Sequence, residues 1–203
     1  MKIVFVGDTH YCRAREGGRS GCTCATVLDH VRYTPMIESV LTPLFARVRA
    51  LEPDLVICSG DIVEGGLRSN PTEETLEFHE VLALFDSLDC PYLIARGTHD
   101  APTPFLELVV PAMERAAGAS FGQAYFRHDV EDCAFFILDY QTLKEGNAQD
   151  AWLEEQLGEA AAEGRRIFVT GHAPVILWGR HFFGDPALIR RLDTLFSMYP
   201  VEA

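Results

Sequence analysis

The stretch Ile3-Val4-Phe5-Val6-Gly7-Asp8-Thr9-His10 decides the fold class, because it joins a short apolar run to side chains that commonly bind metal ions. Apolar runs rich in β-branched and aromatic residues predict strands that are buried on both faces. The pattern recurs as Leu55–Cys58 before Gly60-Asp61, Tyr92–Ala95 before Gly97-Thr98-His99-Asp100, and Ile167–Thr170 before Gly171-His172. The chain therefore repeats a buried strand followed by polar side chains.

Helical patterns lie between these runs, so the sequence predicts an α/β fold in which helices cover a sheet. In open α/β sheets, ligands bind beyond the carboxyl ends of the strands, where all four motifs fall together. Carboxylate oxygens and imidazole nitrogens suit divalent metal ions. Each motif alone is also common as a helix cap, a turn or a structural histidine. Their shared location predicts a metal site.

The helices are bounded by proline, glycine and capping residues. We expect the first helix to begin at Thr34 and Pro35 and to be kinked or split at Pro43. Further helices are expected from Pro71, from Phe105 to Ala117, from Asp150 to Gly164 and from Pro186 to Tyr199. Strand-like runs at 124–127 and 133–140 are expected to pair as a hairpin.

Length and composition predict one domain that spans residues 1–203. The chain has 203 residues, of which 48% are hydrophobic, enough for a sizeable core. The net charge of −13 argues against general nucleic-acid binding, which needs clustered lysine and arginine. The sequence shows neither a basic leader with a long apolar centre nor a membrane-spanning run, so we expect a cytoplasmic protein without a membrane partner.

The six cysteines show no disulfide-type spacing and are expected to be reduced. Cys12, Cys22 and Cys24 leave a zinc site open as an alternative, although no fourth ligand is evident. Close by, Arg13, Arg15 and Arg19 follow the first polar motif. These arginines fit either a solvated loop or a substrate-binding loop whose guanidinium groups bind a phosphate.

In this order, the motifs resemble those of the calcineurin-like metallophosphoesterase superfamily. That pattern runs Asp-x-His, Gly-Asp, Gly-Asn-His-Asp/Glu, Gly-His and finally Gly-His-x-His, and the first four are present between residues 1 and about 200. The resemblance implies a four-layer αββα sandwich with the metals at one end of the sheets. Periodicity alone also permits a three-layer αβα fold.

The resemblance further implies hydrolysis of a phosphomonoester or phosphodiester in a small, nucleotide-like substrate, with two divalent ions of Mn, Fe or Zn. By this likeness, Asp8, His10 and Asp61 bind the first ion, while Asp61 bridges to a second ion bound by His172 and Thr98. His99 acts as the general acid, supported by Asp100.

Two departures affect the second ion. Thr98 replaces the motif asparagine and offers only a hydroxyl, and the sequence ends at Ala203, where Gly-His-x-His is expected. One alternative is therefore a degenerate or truncated relative that acts as a binding module. His181 could stand in for a missing ligand, and a sheet edge left without its last strand leaves a homo-oligomer open.

Overall fold

Two three-stranded sheets form the centre of the protein. The computed structural model describes residues 1–12, 27–64, 71–173 and 185–202, with the backbone alone for residues 27–38, 71 and 73. The first sheet is parallel, and its order is β1 (Ile3–Val6), β2 (Leu55–Cys58) and β3 (Tyr92–Ile94). The second sheet has the order β4 (Phe126–Val130), β5 (Cys133–Ile137) and β6 (Arg166–Thr170). The predicted hairpin is β4 with β5, and β6 is parallel to β5.

Side chains of β5 alternate between two cores and so show the layering of the fold. Cys133, Phe135 and Ile137 pack with residues of the first sheet and of the helices that cover it. Ala134 and Phe136 pack with the helices near the end of the chain. A strand whose two faces enter separate cores lies in an inner layer. The sheets therefore stack face to face between helices, as the predicted four-layer αββα sandwich.

The helical elements are α1 (Val27–Ala50), α2 (Pro71–Asp86), α3 (Pro102–Pro104), α4 (Val110–Ala117), α5 (Ala148–Ala162) and α6 (Pro186–Met198). α1 begins before Thr34, so its predicted start was wrong, and Pro43 lies inside one continuous helix, so the predicted split was wrong as well. Buried Leu41, Phe45 and Val48 on both sides of Pro43 hold this helix on the core. Tertiary packing thus outweighs the cost of the proline.

The helix expected from Phe105 to Ala117 is interrupted by a π-helical turn, Phe105–Val109. The Val110 N–H donates to the Phe105 carbonyl, five residues back. Pro111 has no N–H and cannot continue the regular ladder, which favours a local change of helix type. None of the helices in the described ranges combines the length and apolar character of a membrane span.

A buried ion pair joins the two sheets beside the predicted site. Arg96, directly before Gly97, donates to both carboxylate oxygens of Asp139 at 3.1 and 2.8 Å. Arg96 and Asp139 are each 4% exposed. Gln149 accepts from the Asp139 N–H and donates to its carbonyl, so the acidic partner is itself held in place.

We expect Arg96→Met to lower the free energy of unfolding by about 3 kcal/mol, because it leaves a buried carboxylate without its cation. Arg166→Met is the matched control, since the Arg166–Glu202 pair is exposed, is screened by solvent and should contribute little to stability. Urea unfolding of both variants measures the difference. Equal stability of the two would show that the buried pair does not hold the sheets together.

Candidate metal centre

The loops after β1 and β2 run side by side and form the floor of the site. The Asp8 N–H donates to the Gly60 carbonyl at 3.2 Å, and the His10 N–H donates to the Asp61 carbonyl at 2.9 Å. The Thr9 hydroxyl donates to the Ile62 carbonyl at 2.9 Å. Strand-like pairing thus continues past both strand ends, although the backbone is no longer extended. This pairing fixes the first two motifs relative to each other.

Three candidate ligands have left-handed backbone conformations, which are uncommon outside glycine. Asp8, His10 and Asp61 have φ angles of 47°, 43° and 49°. Such angles cost free energy and persist only where the surrounding structure imposes them. The paired loops supply that constraint. The side chains consequently point away from the directions that a regular strand would give them.

Asp61 is the centre of the site, and its two carboxylate oxygens have different surroundings. Oδ1 accepts the backbone N–H of His99 at 2.7 Å. Oδ2 lies 3.3 Å from His172 Nε2 and 3.7 Å from His10 Nε2. Burial raises the pKa of Asp61, but hydrogen bonds with His172 and His99 outweigh it and hold this pKa below the ordinary value. Asp61 is therefore a carboxylate with one oxygen, Oδ2, turned toward two imidazoles.

All three imidazoles direct Nδ1 at an oxygen acceptor. His10 Nδ1 lies 2.9 Å from the Glu64 carboxylate, His99 Nδ1 lies 3.3 Å from the Glu64 carbonyl, and His172 Nδ1 lies 3.0 Å from the Ser59 carbonyl. A neutral ring that donates from Nδ1 to such an acceptor keeps its lone pair on Nε2. Metal-binding histidines in proteins are commonly oriented by such contacts.

Among the described residues, two groups of three side chains could each hold a metal ion. One comprises Asp8, Asp61 and His172, and the other comprises His10, Asp61 and His99; the ligand atoms within each group lie within 4.8 Å of one another. Nitrogen and oxygen donors that share a carboxylate fit a pair of ions such as Zn²⁺, Mn²⁺ or Fe²⁺. Asp61 is common to both groups, while Asp8 is grouped with His172 and His10 with His99. The bridging role of Asp61 and the assignment of Asp8 and His10 to one ion stay predictions.

Asp100 does not have the surroundings predicted for a partner of the His99 ring. Its carboxylate accepts the backbone N–H groups of Ile62, Val63 and Gly97 at 3.0, 3.3 and 2.8 Å. Burial raises the pKa of Asp100 to about 6, against these hydrogen bonds. Asp100 therefore braces the loops after β2 and β3, and the Glu64 carbonyl orients His99 instead.

Thr98 lies beside the centre, as predicted, and contacts it through Asp61. Its hydroxyl donates to Asp61 Oδ2 at 3.4 Å. A hydroxyl that donates to this carboxylate would act on an ion only through Asp61, whereas the motif asparagine would offer its own amide oxygen.

Sequence reasoning did not select Glu64, which is 2% exposed and contacts both His10 and His99. An acidic residue three positions after Asp61, next to apolar Ile62 and Val63, was the available signal. The predicted substrate residues Arg13, Arg15 and Arg19 lie outside the described residues, as do His181, Cys22 and Cys24. Cys12 is buried.

We expect metal uptake at pH 7 to release at least one proton. The hydrogen bond to Asp61 raises the pKa of His172 to about 8, so this imidazole is mostly protonated at pH 7 in the metal-free protein. A histidine binds a metal ion as the neutral imidazole, so the ion displaces this proton and binds more tightly as the pH rises toward 8. Calorimetric titration with Mn²⁺ in buffers of different ionisation enthalpy counts the protons. Equal release at pH 7 and pH 9 would contradict the expectation, since His172 is mostly neutral at pH 9.

Comparisons with known proteins agree with this geometry. The sequence profile of the calcineurin-like phosphoesterase family matches residues 1–197. A solved structure of a dimetal phosphatase from Danio rerio is similar to the chain, with a TM-score of 0.70 and 13% sequence identity. That similarity covers 98% of this chain and 78% of the zebrafish protein. None of the curated proteins is a significant match.

Proposed function

Because the chain belongs to the calcineurin-like phosphoesterase family, we propose that it hydrolyses a phosphoester with divalent metal ions bound at Asp8, His10, Asp61 and His172. The observation that carries this proposal is Asp61 Oδ2, which faces Nε2 of both His10 and His172. One carboxylate oxygen between two imidazoles suits two ions held close together. We propose Mn²⁺, Fe²⁺ or Zn²⁺ as the ions.

When bound, such ions lower the pKa of water, so that hydroxide is available at neutral pH, and they offset the charge of the phosphoryl oxygens. The protein's own groups keep the ligands in position. Glu64 and Ser59 orient the imidazoles, while Asp100 and the Arg96–Asp139 pair hold the loops that carry Asp61 and His99. Side chains fixed in this way need little rearrangement before reaction.

We propose that the substrate is a small phosphorylated molecule, as the family resemblance of the sequence implies. Asp8 is 60% exposed and His172 is 9% exposed, so the Asp8 side of the centre is the more open to solvent. We propose that Arg13, Arg15 and Arg19 contribute phosphate contacts, since guanidinium groups suit phosphate oxygens. The net charge of −13 favours a small substrate over general nucleic-acid binding.

One observation favours the alternative of a degenerate binding module. The Thr98 hydroxyl bonds Asp61 Oδ2, where the family motif places an asparagine amide. This contact weakens the second position, but it leaves all four proposed ligand residues in place. We therefore favour metal-dependent hydrolysis over binding without hydrolysis as the function of this protein.

The proposal is tested with p-nitrophenyl phosphate and bis-p-nitrophenyl phosphate, after metal removal and reloading with Mn²⁺, Fe²⁺ or Zn²⁺. Metal-dependent release of p-nitrophenol supports hydrolysis, and the preferred ester distinguishes a monoesterase from a diesterase. Asp8→Ala should lose this activity, whereas Asp193→Ala, an exposed position on α6, should retain it. Metal binding without turnover of either ester would favour the binding module.

A further inference from the structure

Strand β1 lies at an edge of the first sheet, and within the described ranges it pairs with β2 alone. Its even-numbered residues face β2, since the carbonyls of Lys2 and Val6 accept N–H groups from that side. Backbone groups alternate in direction along a strand, so those of Ile3, Phe5 and Gly7 point away from the sheet. A row of outward N–H and carbonyl groups can pair with a further strand.

The outer edges of β3, β6 and β4 are covered or charged. On β3, the Ile94 N–H donates to a methionine sulfur of α4 at 2.9 Å. Strand β6 pairs with Val201 near the end of the chain. Strand β4 carries Arg127 and Asp129, which form an ion pair at 2.8 Å. Covering elements and charges protect sheet edges from pairing with other chains. In the sequence, β1 has neither a charge nor a proline between Ile3 and Gly7.

Exposed apolar side chains are concentrated beside this edge. Eight large apolar residues in the described ranges are exposed, and five of them lie on or next to β1 and α1: Met1, Phe5, Val40, Leu44 and Leu51. Phe5 is 61% exposed, whereas its neighbours in register on β2 and β3, Ile57 and Leu93, are fully buried. The layer that covers this face of the sheet therefore stops short of β1.

The exposed apolar residues of α1 lie on the flank that faces away from α2. Leu44 and Leu51 follow Val40 by four and eleven positions, so all three share one side at 3.6 residues per turn. The opposite flank meets α2, where the Arg49 side chain donates to a carbonyl just after that helix. Lys2 Nζ donates to the Leu51 carbonyl, so this end of the stripe lies beside β1. We call the outer edge of β1, together with Phe5 and the three α1 residues, the β1 face.

We propose that the β1 face joins two copies of this chain, whose β1 strands pair antiparallel about a two-fold axis. The strand is self-complementary when Phe5 lies opposite Phe5 of the partner subunit. Val4 then lies opposite Val6 of the partner subunit, and Lys2 lies opposite Asp8 of the partner subunit. Aromatic, aliphatic and opposite-charge pairs across neighbouring strands are each favourable. A two-fold interface requires a surface that is complementary to itself in this way.

The two-fold axis also buries the apolar residues on both sides of the strand. It joins the first sheets of the two copies into one continuous sheet, and it places each α1 stripe beside its copy. Backbone hydrogen bonds and apolar contact then contribute to one interface. The net charge of −13 on each chain opposes association, and added salt screens this repulsion, so the dimer tightens as salt is raised. This inference goes beyond the proposed function and does not depend on bound metal.

The first test is sedimentation equilibrium of the unaltered protein, which should give twice the chain mass of 22.6 kDa. Phe5→Lys should raise the dissociation constant of the dimer by at least about 100-fold, because two ammonium groups then meet at the axis. Met198→Lys is the matched control, since Met198 is 62% exposed on α6, and it should leave the dimer unchanged. A chain that stays monomeric, or a dimer that Phe5→Lys leaves intact, overturns the inference.

A second pair of variants tests the α1 stripe. Leu44 and Leu76 are 40% and 39% exposed, on α1 and α2 respectively. Leu44→Glu should raise the dissociation constant by at least about ten-fold, because it places two carboxylates at the contact between the helices, whereas Leu76→Glu should not change it. Equal effects of the two variants would exclude α1 from the interface. Thermal unfolding checks that each variant is folded.

Amide hydrogen exchange, followed by NMR, tests the strand pairing itself. The outward amides of Ile3 and Phe5 should exchange slowly in the dimer and at least about ten-fold faster after dilution to the monomer. The Val4 and Val6 amides face β2 and should stay protected in both states. Phe5→Pro removes an outward N–H and should weaken the dimer more than Phe5→Ala, which removes only the ring.

The exchange rates also identify the occupant of the edge. Fast exchange of the Ile3 and Phe5 amides within a dimer would show contact through side chains alone, which overturns strand pairing. Slow exchange of these amides in a monomer would show that another segment of the same chain covers β1, which overturns the second copy as the occupant. Fast exchange in a chain that is monomeric at every concentration leaves the edge to a different protein and overturns the inference as well.

Discussion

Asp61→Asn is expected to remove metal binding at both groups and to lower kcat/KM for aryl phosphates by on the order of a thousand-fold. Asparagine has nearly the same shape as aspartate, and its Oδ1 can still accept the His99 N–H. The amide Nδ2 then takes the place of Oδ2, beside His172 and His10. A donor group replaces the one oxygen that both ion positions share. The loss is therefore electrostatic, with the backbone retained.

The measurement is metal content after chelator treatment, reloading with Mn²⁺ and removal of free ions, together with hydrolysis of p-nitrophenyl phosphate. Asp193→Asn, the same chemical change at an exposed position of α6, should keep the content and activity of the unaltered protein. Retention of two ions per chain by Asp61→Asn would show that Asp61 does not bridge them.

The strands and their polar motifs were predictable because they depend on local sequence and on one general rule. Runs such as Leu55–Cys58 and Tyr92–Ile94 are fully buried, as their continuous apolar character indicates. Parallel strands bring their carboxyl ends to the same edge. For this reason the sequence predicts that Asp8, His10, Asp61 and His172 lie near each other, as they do.

The grouping of these side chains was not predictable from spacing. The family resemblance assigned Asp8 and His10 to one ion. In the structure both residues have positive φ angles, 47° and 43°, and their side chains join different groups. Those angles result from pairing with the loop after β2, a contact between residues about fifty positions apart in the sequence.

The roles of Glu64 and Asp100 were likewise not predictable from the sequence. Both are acidic residues near the motifs. Asp100, which follows His99 in the sequence, was predicted to support the His99 ring. The loop instead turns the Asp100 carboxylate inward onto backbone amides, while Glu64 reaches the imidazoles from the other loop. Adjacent residues in a tight loop point in different directions, and only the folded backbone decides which of them meets a given ring.

Gly97→Ala is expected to have the second large effect, because Gly97 lies directly against Asp61. A Cβ at position 97 would lie 2.1 Å from both the backbone nitrogen and Oδ1 of Asp61. The neighbouring loop cannot retreat easily, because its Gly60 also lies against Gly97. A Cβ added to Gly60 would lie 2.6 Å from the backbone nitrogen of Gly97. The methyl group therefore displaces the central carboxylate and the His99 N–H that binds it.

We expect Gly97→Ala to weaken metal binding by on the order of a thousand-fold and to lower the free energy of unfolding by about 1–3 kcal/mol, as overpacking does. Gly158→Ala on α5 is the matched control, because its Cβ would meet the nearest atom, the Tyr199 hydroxyl, at an ordinary 3.6 Å. Alanine also favours a helix interior over glycine, so that variant should be as stable as the unaltered protein or more so. Cobalt titration and urea unfolding of both variants give the two quantities. If Gly97→Ala binds cobalt as tightly as Gly158→Ala does, then the close contact between the two loops does not position Asp61, and the site tolerates far more movement than this packing allows.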